Sequence, residues 1–210
     1  MAKAGDNMRS HSTGSIGNAV YYTMHGKNFV RSKPSKYTDR KSEAQLIQRA
    51  KMKAVTDFLT PFKDLIRITW AGEATGKAPY HAAKSELMRN ALQGDYPEIG
   101  VKKEAALLSK GPIPLPENIK VSVQDGGLLA EWTDSSDIAA KHNRDTLVLI
   151  ALDTNSSIGE FKFTGVPRSA KSYLWKPAVE VTKNNKPDVW VAFRNNNETE
   201  MSNSAYVRVD

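Results

Sequence analysis

Seven short β-prone segments follow one another within residues 117–210, and they constrain the fold of this chain more than any other feature. The segments are Ile119–Val123, Leu128–Thr133, Thr146–Leu152, Glu160–Thr164, Ser172–Trp175, Val189–Arg194 and Ala205–Val209. Turn-forming runs such as Asp125-Gly-Gly127 separate them. Short strands at this spacing predict an all-β part made of two packed sheets.

The pattern contains no cysteine pair and is typical of an immunoglobulin-like sandwich of the fibronectin type III kind. Trp132 and Trp190 lie within two of the segments, and we expect both in the core. An exposed Trp175 or Trp190 would instead indicate a glycan-binding face, because aromatic rings stack on sugars. Burial is the default for such large apolar side chains.

A proline-rich segment, Gly111–Pro116, precedes the strands and has three prolines in its last five residues. This composition predicts a stiff, extended linker. We therefore expect a flexible arm over residues 1–14, a basic hairpin-and-helix region over 15–110, the linker over 111–116 and the sandwich over 117–210. The fold class expected for the whole chain is α+β.

The region before the linker begins with two β-prone runs around a turn over His25–Asn28, which predicts a β-hairpin. Val20, Tyr22 and Met24 would share one face of it. A two-stranded hairpin is marginal alone, so we expect it to pack on the chain or on a partner.

Two helices should follow the hairpin. Ser42 has the spacing of a capping box and should start the first, which Pro61 should kink or restart. The second should run from Pro79 to about Leu92. A short strand is expected near Ala105–Ser109.

Positive charge is concentrated at the start of the chain. Residues 1–60 hold eleven Lys+Arg and four Asp+Glu, which accounts for the whole formal net charge of +7. The residues that we expect to contact a partner or phosphates are Lys27, Arg31, Lys33, Lys36, Arg40, Lys41, Arg49 and Lys53. They alternate with aromatic residues, a pattern that suits nucleic acid as well as a protein surface.

No constellation for catalysis, metal binding or a cofactor stands out in the sequence. Absence of cysteine excludes thiolate zinc sites, iron–sulfur clusters and cysteine nucleophiles. The four histidines, His11, His25, His81 and His142, lack partners at ligand spacing. The acidic residues Asp134, Asp137, Asp145 and Asp153 are explained by solvated loops and turn capping.

No membrane span or secretory signal is expected either. The first fifteen residues are polar, and no apolar run approaches the roughly 18–20 residues that a span needs. We therefore expect synthesis in the cytoplasm, with a place in a virion left open.

The segment from Gly14 to Pro34 resembles the opening of an uncharacterised family found in Bacteroidota and related phage-like sequences. The shared motif pairs Gly-x-x-Gly-Asn with Gly-x-x-Phe-Val-Arg-x-x-Pro. Here its positions are Gly14, Gly17, Asn18, Gly26, Phe29, Val30, Arg31 and Pro34. The resemblance covers about the first 110 residues well and the fibronectin type III-like part in pattern, and it implies an architecture and a lineage but no catalytic residue.

These observations favour a non-enzymatic structural or assembly protein, such as a component of a phage particle or another surface assembly. It would contact other subunits or partners through its basic front and would form homo-oligomers or mixed assemblies. The alternative is a nucleic-acid-binding protein that uses the same basic residues. No small-molecule substrate is indicated.

Overall fold

The computed structural model describes residues 2–3, 13–24, 26–34, 39–153, 155–178, 181–182 and 185–210. The chain divides into two compact units, Met1–Glu43 and Ala44–Asp210. The architecture is mixed α/β, with a hairpin-like start, one long helix and several antiparallel sheets. Mixed α and β structure with a β-hairpin at the start was predicted from the sequence.

The first unit is built around a four-stranded antiparallel sheet. Its strands are β1 (Ala2–Lys3), β2 (Gly14–Ile16), β3 (Ala19–Met24) and β4 (Lys27–Ser32), in the order β1-β4-β3-β2. β3 and β4 form the predicted hairpin, but Met24 pairs with Lys27, so its turn is shorter than expected. Most of the predicted arm lies outside the described residues.

β2 is a strand of its own rather than part of β3. Ile16 pairs with Ala19, which leaves a two-residue turn of Gly17 and Asn18. Gly17 has φ of 56°. A positive φ at the first central position is the geometry of a type II′ turn, which glycine adopts without the steric cost that a side chain would add.

The described residues of the second unit form four helices, and the first of these begins one residue earlier, at Glu43. They are α1 (Glu43–Leu59), α2 (Lys63–Thr69), α3 (Pro79–Asn90) and α4 (Ser136–His142). A 3₁₀ turn over Thr60–Phe62 contains Pro61 and separates α1 from α2, which confirms the predicted restart. α3 starts at Pro79 as predicted.

The part of the second unit that the structure describes also contains nine strands. They are β5 (Leu92–Gln93), β6 (Gly100–Val101), β7 (Asn118–Gln124), β8 (Gly127–Thr133), β9 (Thr146–Leu152), β10 (Gly159–Pro167), β11 (Ser172–Trp175), β12 (Asp188–Arg194) and β13 (Ala205–Val207). They form the sheets β10-β9-β12-β13, β11-β8-β7 and β5-β6. Each of the seven predicted segments overlaps one strand from β7 to β13.

Two apolar cores lie on opposite faces of β9 and β12. Alternate residues of β12, such as Val191 and Phe193, pack with Trp132 of β8. The intervening residues, such as Trp190, pack with α1, α2 and α3. The sheet β10-β9-β12-β13 is therefore covered by the sheet β11-β8-β7 on one side and by helices on the other. Burial on both faces explains why the β12 sequence is apolar without alternation.

Aromatic rings dominate the core beneath the helices. Trp190 makes edge contacts with Phe58, Phe62 and Tyr206, with ring centroids 5.8, 6.3 and 5.4 Å apart. Trp132 and Trp190 are 2% and 0% exposed, which confirms their predicted core positions. Trp175 is also buried, so the suggestion of a glycan-binding tryptophan at 175 or 190 was wrong.

The proline-rich segment packs against the second unit. The Ile113 amide donates to the Met201 carbonyl at 3.2 Å, and Ile113 is 6% exposed. The Pro114 carbonyl accepts a hydrogen bond from Arg168 at 2.7 Å. Residues on both sides of the segment contribute to the core beneath the helices, and the division between compact units falls at Glu43 and Ala44.

Two local expectations differ from the structure. Lys103–Ala105 forms a 3₁₀ turn, and the Leu108 amide donates to the Ser204 hydroxyl at 2.8 Å instead of joining a ladder at the predicted strand. α4 occupies a stretch that was expected to be a loop. Its signals were Asp137 in the first turn and Lys141 in the last, which complement the helix dipole.

Candidate interaction surface

The register of β3 and β4 places aromatic and basic side chains on one face of the first unit. We call this the aromatic–basic face. The pairs Val20 with Arg31, Tyr22 with Phe29, and Met24 with Lys27 lie directly opposite one another, and alternate residues of a strand share a face. Val20, Tyr22 and Met24 thus lie on the same face, as predicted from the sequence.

Tyr22 and Phe29 form the centre of this face. Their ring centroids lie 5.5 Å apart with an interplanar angle of 19°, which is a stacked arrangement. Both side chains are half-buried, and the basic residues Lys27 and Arg31 are exposed on either side of Phe29 along β4. Cross-strand aromatic pairs stabilise a sheet, and here the pair also lies between two exposed basic residues of β4.

The other predicted contact residues are spread over both units. Lys33, Arg40 and Lys41 are exposed between β4 and α1, and Lys36 lies outside the described residues. The Lys41 amide donates to the Asp39 carboxylate at 3.2 Å. Arg49 and Lys53 lie on α1, in the second unit.

Lys53 has an acidic partner on its own helix. Its ammonium group lies 2.9 Å from the Asp57 carboxylate, one turn further along α1. The hydrogen bond to Asp57, together with the attraction between the two charges, raises the pKa of Lys53 above its usual value. The pair offsets part of the positive charge that sequence counting assigned to α1.

None of residues 13–24, 26–34 and 39–43 of the first unit is buried. Ile16 of β2 is 70% exposed and Met24 is 50% exposed. A sheet gains most of its stability from covering an apolar face, so the exposure of residues 13–24 and 26–32 leaves β2, β3 and β4 with little of this stabilisation. This feature was not apparent from the sequence, because the hydrophobic pattern of β3 alone is that of a half-buried strand.

β2 also forms one edge of this sheet. Ile16 and Ala19 flank a two-residue turn, so they form the hydrogen-bonded pair that closes the hairpin. Ser15 is then a non-hydrogen-bonded position with respect to β3, and its backbone N–H and C=O point away from the sheet. An edge of this kind can accept a further strand from another chain.

The second unit contains a buried ion pair that sequence reasoning missed. The Arg168 guanidinium is fully buried, and its Nε donates to both oxygens of Asp134 at 2.9 Å. The Phe193 ring centroid lies 4.8 Å from the Arg168 Cζ atom. All of these contacts lie within the fold, so the pair ties the proline-rich segment to β8 and β12 and is not a ligand site.

Most of the acidic residues singled out in the sequence have partners inside the second unit. Asp145 lies 2.7 Å from the Nδ1 atom of His142, and Asp153 accepts hydrogen bonds from Ser156 and Asn155. Asp134 belongs to the buried pair with Arg168, so solvation in a loop was the wrong explanation for it.

Within the residues that the structure describes, no group of three or more histidine, cysteine or acidic side chains could hold a metal ion. None of the helices in that part of the chain is long and apolar enough to span a membrane.

A family model described as "Family of unknown function (DUF6266)" matches residues 11–208. The match covers nearly the whole chain. The protein belongs to this family. The expectation of an uncharacterised domain family is thereby confirmed. Comparisons with curated proteins and with solved structures found no match.

Proposed function

We propose that this protein is a non-enzymatic structural component of an assembly, and that its first unit makes the contacts with neighbouring subunits. The observation that carries the proposal is the exposure of the first unit, because none of residues 13–24, 26–34 and 39–43 is buried. The second unit, by contrast, has apolar cores on both faces of one sheet. A sheet without its own core is stabilised when another molecule covers it.

Strand addition at β2 is the contact that we propose. Ser15 directs its backbone donor and acceptor away from β3, and Ile16 adds a largely exposed apolar side chain beside them. Main-chain hydrogen bonds would then be formed with an extended segment of a second subunit, and Ile16 would be covered in the same step.

We further propose that residues 117–210 form a fibronectin type III-like sandwich that acts as the platform of the assembly. The order of the sheets supports this proposal. The first, second and fifth strands of this part share one sheet, and the third, fourth, sixth and seventh share the other. Domains of this architecture serve as spacers and adhesive platforms in many proteins, which is an argument from fold alone.

A phage-related lineage, synthesis in the cytoplasm and a place in a virion belong to the same proposal. They are supported by the sequence motif between Gly14 and Pro34. Capsid or tail genes beside the coding sequence would support this part, and a neighbourhood of metabolic genes would oppose it.

The strand-addition contact can be tested by light scattering coupled to size-exclusion chromatography. Ile16→Lys introduces a charge at the edge and should shift the oligomer to monomer, as should Ser15→Pro, which removes the outward N–H. Ile158→Lys is the matched control, because Ile158 is 57% exposed in a loop of the second unit, and it should leave the mass unchanged. A wild-type protein that stays monomeric at high concentration, with no co-purifying partner, contradicts the proposal.

A further inference from the structure

The aromatic–basic face presents basic and aromatic side chains in a regular order. Along β4 it presents Lys27, then Phe29, then Arg31, at the period-two spacing of a strand. The Cα atoms of Lys27 and Arg31 are therefore about 13 Å apart, with Phe29 midway between them. Tyr22 lies opposite Phe29 on β3 and extends the aromatic area across the two strands.

The opposite face of the same two strands differs in charge. Its paired residues are Ala19 with Ser32, Tyr21 with Val30, and Thr23 with Asn28, and none of them is ionisable near neutral pH. The sheet is thus polarised, with its cationic groups on the side that holds the stacked aromatic pair. An apolar face that served only to stabilise the sheet would not require cationic side chains beside the stacked aromatic pair.

The charge of the whole first unit limits what can cover this face. Met1–Glu43 contains eight Lys+Arg and three Asp+Glu, a net charge of +5. Two copies that met through this face would bring their cations together, and like charges repel across an interface. Charge complementarity therefore favours an anionic occupant over a second copy of the chain.

We propose that the aromatic–basic face binds single-stranded nucleic acid, with bases stacking on Tyr22 and Phe29 and phosphates contacting Lys27 and Arg31. Every base has a flat π-surface, so an aromatic pair accepts bases without regard to sequence. A duplex hides these surfaces within its own stack, and an acidic polypeptide offers charge but no base to stack. The proposed nucleic-acid binding and the proposed assembly both involve the first unit. They use different surfaces of it, namely the aromatic–basic face for nucleic acid and the β2 edge for assembly.

The binding test is fluorescence anisotropy of full-length protein with a labelled oligothymidylate of about 20 nucleotides. The expected result is tighter binding to this probe than to a duplex of the same length or to polyglutamate. Tyr22→Leu and Phe29→Leu keep an apolar side chain but lose the ring, and each should weaken binding about tenfold. Tyr21→Leu removes a ring from the opposite face and should leave the affinity unchanged.

The phosphate contacts are tested by the salt dependence of the same titration. Changing Lys27 and Arg31 together to Ala should reduce the log–log salt slope by about 1.4, because each single-strand phosphate contact contributes about 0.7. Lys120→Ala with Lys141→Ala removes the same charge from exposed positions of the second unit and should leave the slope unchanged.

Photo-crosslinking of the wild-type protein to an iodouracil oligonucleotide gives a result that does not depend on how variants fold. Crosslinks within Ala19–Ser32 support the proposal, and crosslinks confined to the second unit overturn it. Absence of binding at about 50 mM salt overturns it as well. Equal affinity for polyglutamate would assign the face to an acidic protein instead, and equal affinity for duplex would exclude the stacking role.

Light scattering on the wild-type protein separates this proposal from the assembly. If the wild-type protein forms oligomers but does not bind the oligonucleotide, the nucleic-acid role is overturned and the β2 contact stands. If the wild-type protein is monomeric and binds the oligonucleotide, the assembly through β2 is overturned and the nucleic-acid role stands.

Discussion

Removing the carboxylate from the buried Arg168–Asp134 pair should destabilise the second unit more than removing any exposed charge. In Asp134→Ala, the Arg168 guanidinium keeps the Pro114 carbonyl, at 2.7 Å, and the Phe193 ring as partners. Its three contacts to the carboxylate are lost, and the charge stays buried, since the Arg168 side chain is 0% exposed. Breaking a pair of this kind costs about 3–5 kcal/mol.

For a unit of this length, 1 kcal/mol corresponds to about 2–4 °C in the melting temperature, so the expected decrease is about 10 °C. Circular dichroism during heating measures it, and urea unfolding at constant temperature gives the free energy independently. The matched control is Asp64→Ala, which breaks an ion pair with Arg67 whose side chains are 79% and 72% exposed. Exposed pairs contribute about 0–1 kcal/mol, so this variant should melt close to the wild type.

A double variant distinguishes the cost of an isolated charge from the value of the pair. Arg168→Leu combined with Asp134→Leu removes both charges and should be more stable than Asp134→Ala, because no buried charge is left without its partner. The reasoning is refuted if Asp134→Ala lowers the melting temperature no more than Asp64→Ala does, or if the double variant is the least stable of the three.

Two further predictions concern packing and pH. Gly159→Ala would place a Cβ atom 2.6 Å from the Phe62 ring and should cost about 1–3 kcal/mol in urea unfolding, whereas Gly72→Ala meets no atom within 4 Å and should be close to neutral. Equal free energies of unfolding for the two variants would contradict the close packing of Gly159 against Phe62. Burial, followed by the hydrogen bond to Asp188, raises the pKa of Tyr206 to about 12. Because the folded pKa lies above the unfolded value of 10.0, the contribution of the Tyr206 hydroxyl to stability is complete below pH 10 and is lost towards pH 12. The difference in melting temperature between wild type and Tyr206→Phe should therefore shrink over that interval, and a constant difference would contradict it.

The strands of the second unit were predictable because their signals are local. Thr146–Leu152 and Ser172–Trp175 coincide with β9 and β11, since β-branched and aromatic residues between turn signals fit the pleated, partly buried surface of a sheet. The start of α3 at Pro79 and the break at Pro61 were equally local, because proline has a fixed φ and no N–H to donate.

The candidate interaction surface was predictable only in part. The shared face of Val20, Tyr22 and Met24 followed from the period of a strand. The placement of Lys27 and Arg31 on that same face depended on the turn, because a turn longer by one residue would have moved both to the other side. Charge counting also grouped Lys53 with them, although it lies in the second unit and is paired with Asp57.

What the sequence alone determined is the set of local conformations: short strands after residue 117, a hairpin near the start, and helices between them. The tertiary structure alone decided which surfaces those elements cover. The proline-rich segment suggested a boundary, but Arg168 and Met201, far along the chain, hold its backbone against the second unit. Contacts between residues distant in sequence depend on how the sheets and helices pack on one another, and this packing cannot be predicted from a local pattern of residues. The same reason explains why the helices cover one face of β9 and β12, while residues 13–24, 26–34 and 39–43 of the first unit include no buried side chain.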